Sequence, residues 1–417
     1  METVKVKYLI IGSGVSGLAF ANHLDKSEYI IIEKEDEPGG FCRTVYEGDY
    51  VWDWAGHFFH FATKKWEEFF RKRIDEGELV SIKKNTKIYF KNRLIDYPFQ
   101  KNIHQLEQQD FIDCLYDLFK REELKDIKSF KQMLYSKFGN SIADLFLIPY
   151  NEKLYACDLD RLDTDAMGRF FPYANLNEII DNMKKSVNDS YNDYFLYPKK
   201  GAKIFVDALM QDISASNISL KEEVIFIDKN ARFVRTNKRE IIYEKLINTM
   251  PQKELIKICG DDLDDSIMSC NKVLVFNLGF DKKSKYNDIH WMYVPDKDIN
   301  FYRIGFYDNI LNQNKLSMYI EIGYKENDEI DIECQLEETL FNLKKIGIID
   351  DHELKNYHYC IMKPAYVHIS KNSKDYVSHK IKEYEQLDIY SIGRYGLWKY
   401  CSIEDCLIDA DNLYERL

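Results

Sequence analysis

At 417 residues the chain exceeds one compact core and is expected to divide into two or three domains. Hydrophobic residues make up 45% and charged residues 31%, the balance of a globular protein, and the net charge of −12 argues against general affinity for nucleic acid or anionic membranes. Met1-Glu2-Thr3-Val4-Lys5 lacks the layout of a secretory signal, and no apolar run reaches the roughly 18 to 20 residues of a membrane span, so a cytoplasmic protein without membrane contact is expected.

Residues 7 to 12 read as a buried parallel strand, followed by an apolar helix over Val15 to Asp25 and a second strand over Tyr29 to Glu33, a βαβ unit. From Ile103 to Met183 apolar residues recur at three and four, as in Phe111, Leu115, Leu118 and Phe119, and predict helices. A further helix is expected over Ala202 to Ile213. The chain then turns β-rich, with strands over Glu223–Ile227, Glu240–Asn248, Val273–Phe280, Asn300–Phe306, Ser317–Tyr324 and His358–Ile361, interrupted by one helix over Ile332–Ile346. A strand at Ile389–Gly393 leads into a terminal helix from Ile403. The nine cysteines form no CxxC pair; Cys401 and Cys406, the nearest two, read as ordinary thiols rather than a metal or redox pair.

Gly12-Ser13-Gly14-Val15-Ser16-Gly17 is a GxGxxG placed between strand and helix. Gly12 allows the tight turn, Gly14 lets backbone approach a pyrophosphate, and Gly17 allows the helix to pack closely on the strand. Glu33 closes the second strand, where an acid can take ribose hydroxyls. Gly39-Gly40-Phe41-Cys42-Arg43-Thr44 follows as GG-x-x-R-[ST], the second fingerprint of a flavoprotein group that includes amine oxidases and protoporphyrinogen oxidases. Gly40 lets the chain pass the cofactor and Arg43 can neutralise its phosphates. Near the far end, Ile392-Gly393-Arg394-Tyr395-Gly396 sits between strand and helix, as the segment that closes the cofactor site does in this group. FAD is the cofactor these motifs imply.

The predicted fold class is α/β: a Rossmann-like FAD-binding domain with a helical insertion and an antiparallel β-sheet substrate domain. The expected boundaries are 1–80 with 198–255 and 385–417 for the first, 100–190 for the helical substrate or lid domain, and 81–99 with 256–384 for the sheet.

Along most of its length the chain resembles the UDP-galactopyranose mutases. The matching blocks occur in family order: Gly56-His57-Phe58-Phe59-His60, Tyr97-Pro98-Phe99-Gln100-Lys101-Asn102-Ile103, Pro149-Tyr150-Asn151-Glu152-Lys153-Leu154-Tyr155, Tyr293-Val294-Pro295 with Phe301-Tyr302-Arg303, and Gly393 through Tyr400. Arg169, Asn192 and Tyr366 stand at matching intervals. The resemblance implies an isomerase that interconverts UDP-galactopyranose and UDP-galactofuranose without net redox change, with reduced flavin N5 as the covalent nucleophile. It implies a UDP-sugar substrate, an external reductant such as NADPH or NADH, and a possible homo-oligomer acting in cell-surface polysaccharide synthesis.

The site residues follow from the same resemblance. Arg169 and Arg303 hold the pyrophosphate of UDP, joined by hydroxyls of Tyr366 and Tyr400. Tyr97, Phe99 and Gln100 receive the uracil, while Asn151, Tyr155 and Tyr293 line the substrate site. Asn192 belongs to a segment closing over the sugar, and His57 sits against the flavin together with Gly393, Arg394 and Tyr400. His57 and His60 lack accompanying carboxylates or cysteines, so no metal is expected. Ile310, Tyr155 and Glu404 depart from the family pattern and leave the sugar open among galactose, N-acetylgalactosamine and a deoxy-sugar. A redox flavoenzyme of the amine oxidase type and a non-catalytic nucleotide-sugar binder remain the alternatives.

Overall fold

Strand Thr3–Ile11 is the spine of the molecule, exposed in alternation over its first half and fully enclosed over Tyr8–Ile11. The computed structural model describes residues 3–122, 124–184 and 193–417. The spine pairs in parallel with Tyr29–Ile32 on one side and with Glu240–Asn248 on the other, in register from Thr3 opposite Glu240 to Ile11 opposite Asn248. Ile218–Ser219 and Ile389–Ser391 extend the parallel part, and the antiparallel strands Val224–Asp228 and Phe233–Thr236 complete a seven-stranded sheet. Ile11, Ile32, Asn248 and Ser391 therefore end at one carboxyl edge, where a doubly wound sheet opens its binding crevice. Helices Val15–Ala21, Lys203–Met210 and Ile403–Arg416 cover one face, burying Phe20, Phe205, Leu209, Leu407 and Leu413 in one cluster with Ile10 and Ile31. The first helix ends at Ala21, short of the expected Asp25, where Asn22 caps it and its amide Nδ2 turns back to Leu18 O at 2.8 Å.

The second sheet also has seven strands, in the order Leu354–Met362, Asn271–Phe280, Ser317–Lys325, Arg303–Phe306, Trp291–Tyr293, Thr86–Phe90 and Arg93–Asp96. It is antiparallel except where Trp291–Tyr293 runs parallel to Thr86–Ile88. Helices Gln108–Lys120, Phe130–Ile142, Ile148–Tyr155 and Leu176–Lys184 form the helical insertion. The fold is thus an α/β one with a Rossmann-like domain, a helical insertion and a largely antiparallel sheet.

The β-rich half carries more than the single expected helix. Gln252–Ile258 and Lys371–Glu385 are also helical, the latter hidden in the sequence because only Ser373, Val377 and Tyr384 of its fifteen residues are buried. No helix among the described residues is long and apolar enough to cross a membrane.

Asp53 knots the parts together. It ends the hairpin Thr44–Glu47/Tyr50–Asp53 and accepts hydrogen bonds from Thr44 Oγ1 at 2.6 Å, Tyr197 OH at 2.8 Å and Ala202 N at 2.9 Å. Its own oxygen O accepts from Asn277 Nδ2 at 2.9 Å, which docks the second sheet on the hairpin. Burial raises its carboxyl pKa to about 6, and the three donors hold it there rather than higher.

Candidate functional site

A cavity of about 950 Å³ opens at the carboxyl edge of the first sheet and runs between the two sheets. Its floor is the glycine turn. Gly12 has φ +97°, and a Cβ there would lie 2.3 Å from Thr249 Oγ1. A Cβ at Gly17 would lie 2.1 Å from Gly12 O, so the helix can seat on the turn only without one. Glu33 stiffens the turn from the second strand, its Oε2 accepting from Ser13 N and Ser13 Oγ, each at 2.8 Å. Gly39 closes back on the turn by donating its N–H to Ser13 O at 2.9 Å, which brings Gly40 beside Gly14.

Arg43 is buried against the face of Trp54, its guanidinium carbon 4.9 Å from the ring, and its Nε makes no hydrogen bond. Its carboxylate neighbours Glu35 and Glu37 stand off at 3.6 and 3.8 Å. A buried cation with an unused donor beside a glycine turn fits the phosphates of a bound dinucleotide.

The opposite wall is aromatic and cationic. Tyr293 and Arg303 face each other across two antiparallel strands. Arg303 Nη2 meets the buried carboxylate of Glu321 at 2.5 Å, and Tyr302 OH donates to the other oxygen of Glu321 at 2.6 Å. Arg303 Nε is enclosed and has no partner. Arg394 turns two of its five donors to carbonyls instead, Nη1 to Cys401 O at 3.0 Å and Nη2 to Ala365 O at 3.3 Å. Its plane lies against Tyr400 and Tyr366, whose rings stack with centroids 5.8 Å apart. Arg394 is therefore a mount for two tyrosines. His57 sits on the cavity wall with Nδ1 enclosed and unpartnered, and burial followed by Arg303 and Arg394 lowers its pKa to about 4.

The last helix braces this wall. Ser402 and Asp405 form a reciprocal capping box, and the flanking Cys401 and Cys406 meet as a staple with sulfurs 3.8 Å apart. Both cysteines are buried and free. Glu404 accepts from Ala62 N at 2.7 Å and from Thr63 N and Oγ1 at 2.9 and 2.7 Å, so it ties the approach to the helix Lys64–Arg73, just past the His57–His60 segment, to the C-terminal helix.

Gly12, Gly14, Glu33, Gly40, Arg43, His57, Arg169, Tyr293, Arg303, Tyr366, Arg394 and Tyr400 all line this one cavity. Arg169 does so from the rim, its side chain 51% exposed and paired with Asp405 at 2.6 Å. Gly17 and Gly393 lie behind the wall, Gly393 packed on Ser16. Phe99 is fully buried and stacked on Phe146, which leaves it no free face for a base. Gln100 and Asn151 are likewise buried off the cavity, and Tyr155 packs behind the wall tyrosine Tyr366 with rings 5.8 Å apart; each of the three has one polar atom that makes no hydrogen bond. Tyr97 joins the group through Tyr293, at 5.0 Å between rings. Asn192 lies outside the described residues. Glu321 was not foreseen; its signal is a lone acid inside the apolar run Met318-Tyr319-Ile320-Glu321-Ile322.

Residues 10–73 match the NAD(P)-binding Rossmann-like domain. Over the whole chain, the fold is similar to the crystal structure of a reduced UDP-galactopyranose mutase, with TM-score 0.91 and 22% identity over 99% of this chain and 96% of that one. It is also similar to cyclohexylamine oxidase from Brevibacterium oxydans, with TM-score 0.69 and 11% identity over 99% of both chains. A fatty acid isomerase from P. acnes that produces CLA matches with TM-score 0.68 and 13% identity, over 99% of this chain and 98% of that one. These likenesses establish a shared fold.

Proposed function

We propose that the protein is an FAD-dependent isomerase that interconverts the pyranose and furanose forms of a UDP-sugar, UDP-galactose by default. The observation that carries this reading is Arg303: a fixed guanidinium with an unused Nε, set in a wall of tyrosines across one cavity from a dinucleotide turn. An oxidase acting on an amine has no need of a second anion-binding arginine there. The likeness to a mutase structure over nearly the whole chain supports the same reading.

Reduced flavin seated on the glycine turn would supply the nucleophile for a reaction with no net redox change. The residues of the chain do the rest. Arg43 neutralises the cofactor phosphates. Arg303, with the hydroxyls of Tyr366 and Tyr400, holds the UDP pyrophosphate as negative charge develops on it. His57, neutral at physiological pH, offers an enclosed Nδ1 to the cofactor ring without adding charge. Reductant arrives from outside, with NADPH or NADH as the proposed donor.

The test is conversion. Dithionite-reduced protein should turn UDP-galactopyranose into the furanose, resolved by chromatography, while oxidised protein should not. Equal rates in both states would sink the mechanism. Substrate-driven oxygen uptake, with no change of ring form, would hand the site to the oxidase reading.

A further inference from the structure

We propose that Lys153 is the positioning residue for Arg303: its ammonium fills the turn that carries Tyr293 and Arg303 and fixes both on the cavity wall. Lys153 Nζ donates to Val294 O at 2.9 Å, Asp296 O at 2.8 Å and Phe301 O at 2.5 Å. An ammonium has three N–H donors, and all three are spent on one turn. That turn joins strand Trp291–Tyr293 to strand Arg303–Phe306, with Tyr293 directly opposite Arg303. Its own backbone contributes Val294 N to Tyr302 O at 2.9 Å and Ile299 N to Asp296 O at 3.3 Å, and Asn300 ties its far side to Thr339 Oγ1 at 3.0 Å. The lysine takes the place a bound cation would have in such a ring of carbonyls.

The base of the lysine is rigid, as a clasp requires. It stands near the end of helix Ile148–Tyr155, where a Cβ at Gly323 would lie 2.1 Å from Lys153 O, so the second sheet admits the helix only because Gly323 has none. The next two carbonyls are held as well, Leu154 O by Asn271 Nδ2 at 2.7 Å and Tyr155 O by the His368 ring at 2.9 Å. A second link runs in parallel, from Lys297 in the turn back to Glu152 at 2.7 Å. A basic residue in a last helical turn ordinarily serves its own helix carbonyls. Lys153 instead reaches carbonyls more than a hundred residues away in sequence. Burial lowers its pKa to about 7, against the upward pull of the Asp296 carboxylate.

The clasp acts on a contact that the proposed mutase reading gives to Arg303, and on that point it rests on that reading. Two measurements on flavin-loaded protein separate the two. In Lys153→Met the amides of Val294 and of Asp296 to Arg303 should exchange hydrogen about tenfold faster or more, while those of Val15–Ala21 stay unchanged. UDP affinity should fall about tenfold, yet in an Arg303→Ala background the same substitution should cost less than about threefold, because its effect passes through the arginine. Lys153→Gln, with two donors, should fall between wild type and Lys153→Met, and it carries the test if the methionine variant does not fold. Unchanged exchange in the turn, or full additivity with Arg303→Ala, would overturn the assignment. Wild-type protein that binds no UDP would remove the mutase reading, while the exchange measurement would still decide the clasp.

Discussion

Arg303 is anchored at one end and open in the middle: Glu321 grips Nη2 at 2.5 Å, while the enclosed Nε has no partner. Glu321 is 1% exposed and also takes the hydroxyl of Tyr302, so the guanidinium cannot swing away from the wall. Arg303→Ala should therefore lose a charge-assisted contact of about 1.5–3 kcal/mol, or about ten- to a hundredfold in UDP affinity and kcat/KM. Flavin content should stay normal, since Arg303 is absent from the glycine turn. Arg303→Lys should recover only part, because an ammonium cannot satisfy Glu321 and a phosphate in one plane. Titration calorimetry with UDP and turnover on fully loaded enzyme check this, and near-wild-type values for both would remove Arg303 from the site.

Arg169 should matter less than its place in the sequence motif implies. It is half exposed and already paired with Asp405 at 2.6 Å, and an exposed pair contributes about 0–1 kcal/mol. Arg169→Ala is expected to lower kcat/KM by about two- to fivefold. A loss equal to that of Arg303→Ala would mean that Arg169 leaves Asp405 for the substrate.

What the sequence made legible is what local chemistry dictates. Strand Glu240–Asn248 has its expected bounds, and the glycine turn, its helix and Glu33 fall where the motif requires. The ten-residue step from Tyr293 to Arg303 turns out to be a cross-strand pair, which spacing alone did not reveal. The helix Lys371–Glu385 was illegible because its buried residues are a serine, a valine and a tyrosine among charges. Phe99 and Gln100 belong to a block that resembles a uridine-binding segment, yet tertiary packing turns Phe99 onto Phe146 and Gln100 toward Pro172 O. A motif fixes which residues stand together in sequence; the packing of four helices fixes which of them face a ligand.

Gly14 separates the needs of the fold from those of the cofactor. Its φ of −69° suits any residue, and a Cβ there would meet nothing within 4 Å. Gly14→Ala should thus leave the thermal midpoint of flavin-free protein within about 2 °C of wild type. Flavin affinity should drop by about tenfold or more, because the missing Cβ is the space a pyrophosphate needs. Gly17→Ala should instead fail at folding, its Cβ being 2.1 Å from Gly12 O. Unaltered flavin affinity in Gly14→Ala would mean that the pyrophosphate lies elsewhere.

His57 should make the protein sensitive to acid with a definite sign. Its pKa in the fold is lowered to about 4, by burial first and then by Arg303 and Arg394, against the usual value near 6.5. Between those two values the unfolded chain binds a proton that the fold refuses, so unfolding gains as the pH falls. The contribution of His57 is fully present above pH 6.5 and is lost progressively toward pH 4. His57→Gln removes the titration and keeps a polar side chain of similar reach. Its thermal midpoint should therefore fall less steeply than that of wild type between pH 6.5 and 4, and the two curves should run parallel above pH 7. Bound anionic reduced flavin would oppose the two arginines and raise the pKa, so the difference between wild type and variant should shrink in the reduced holoprotein. Differential scanning calorimetry of flavin-free and reduced protein across this range checks both statements. Parallel curves throughout would show that His57 titrates at its ordinary pKa, and the wall beside the cofactor would then carry a proton at pH 6.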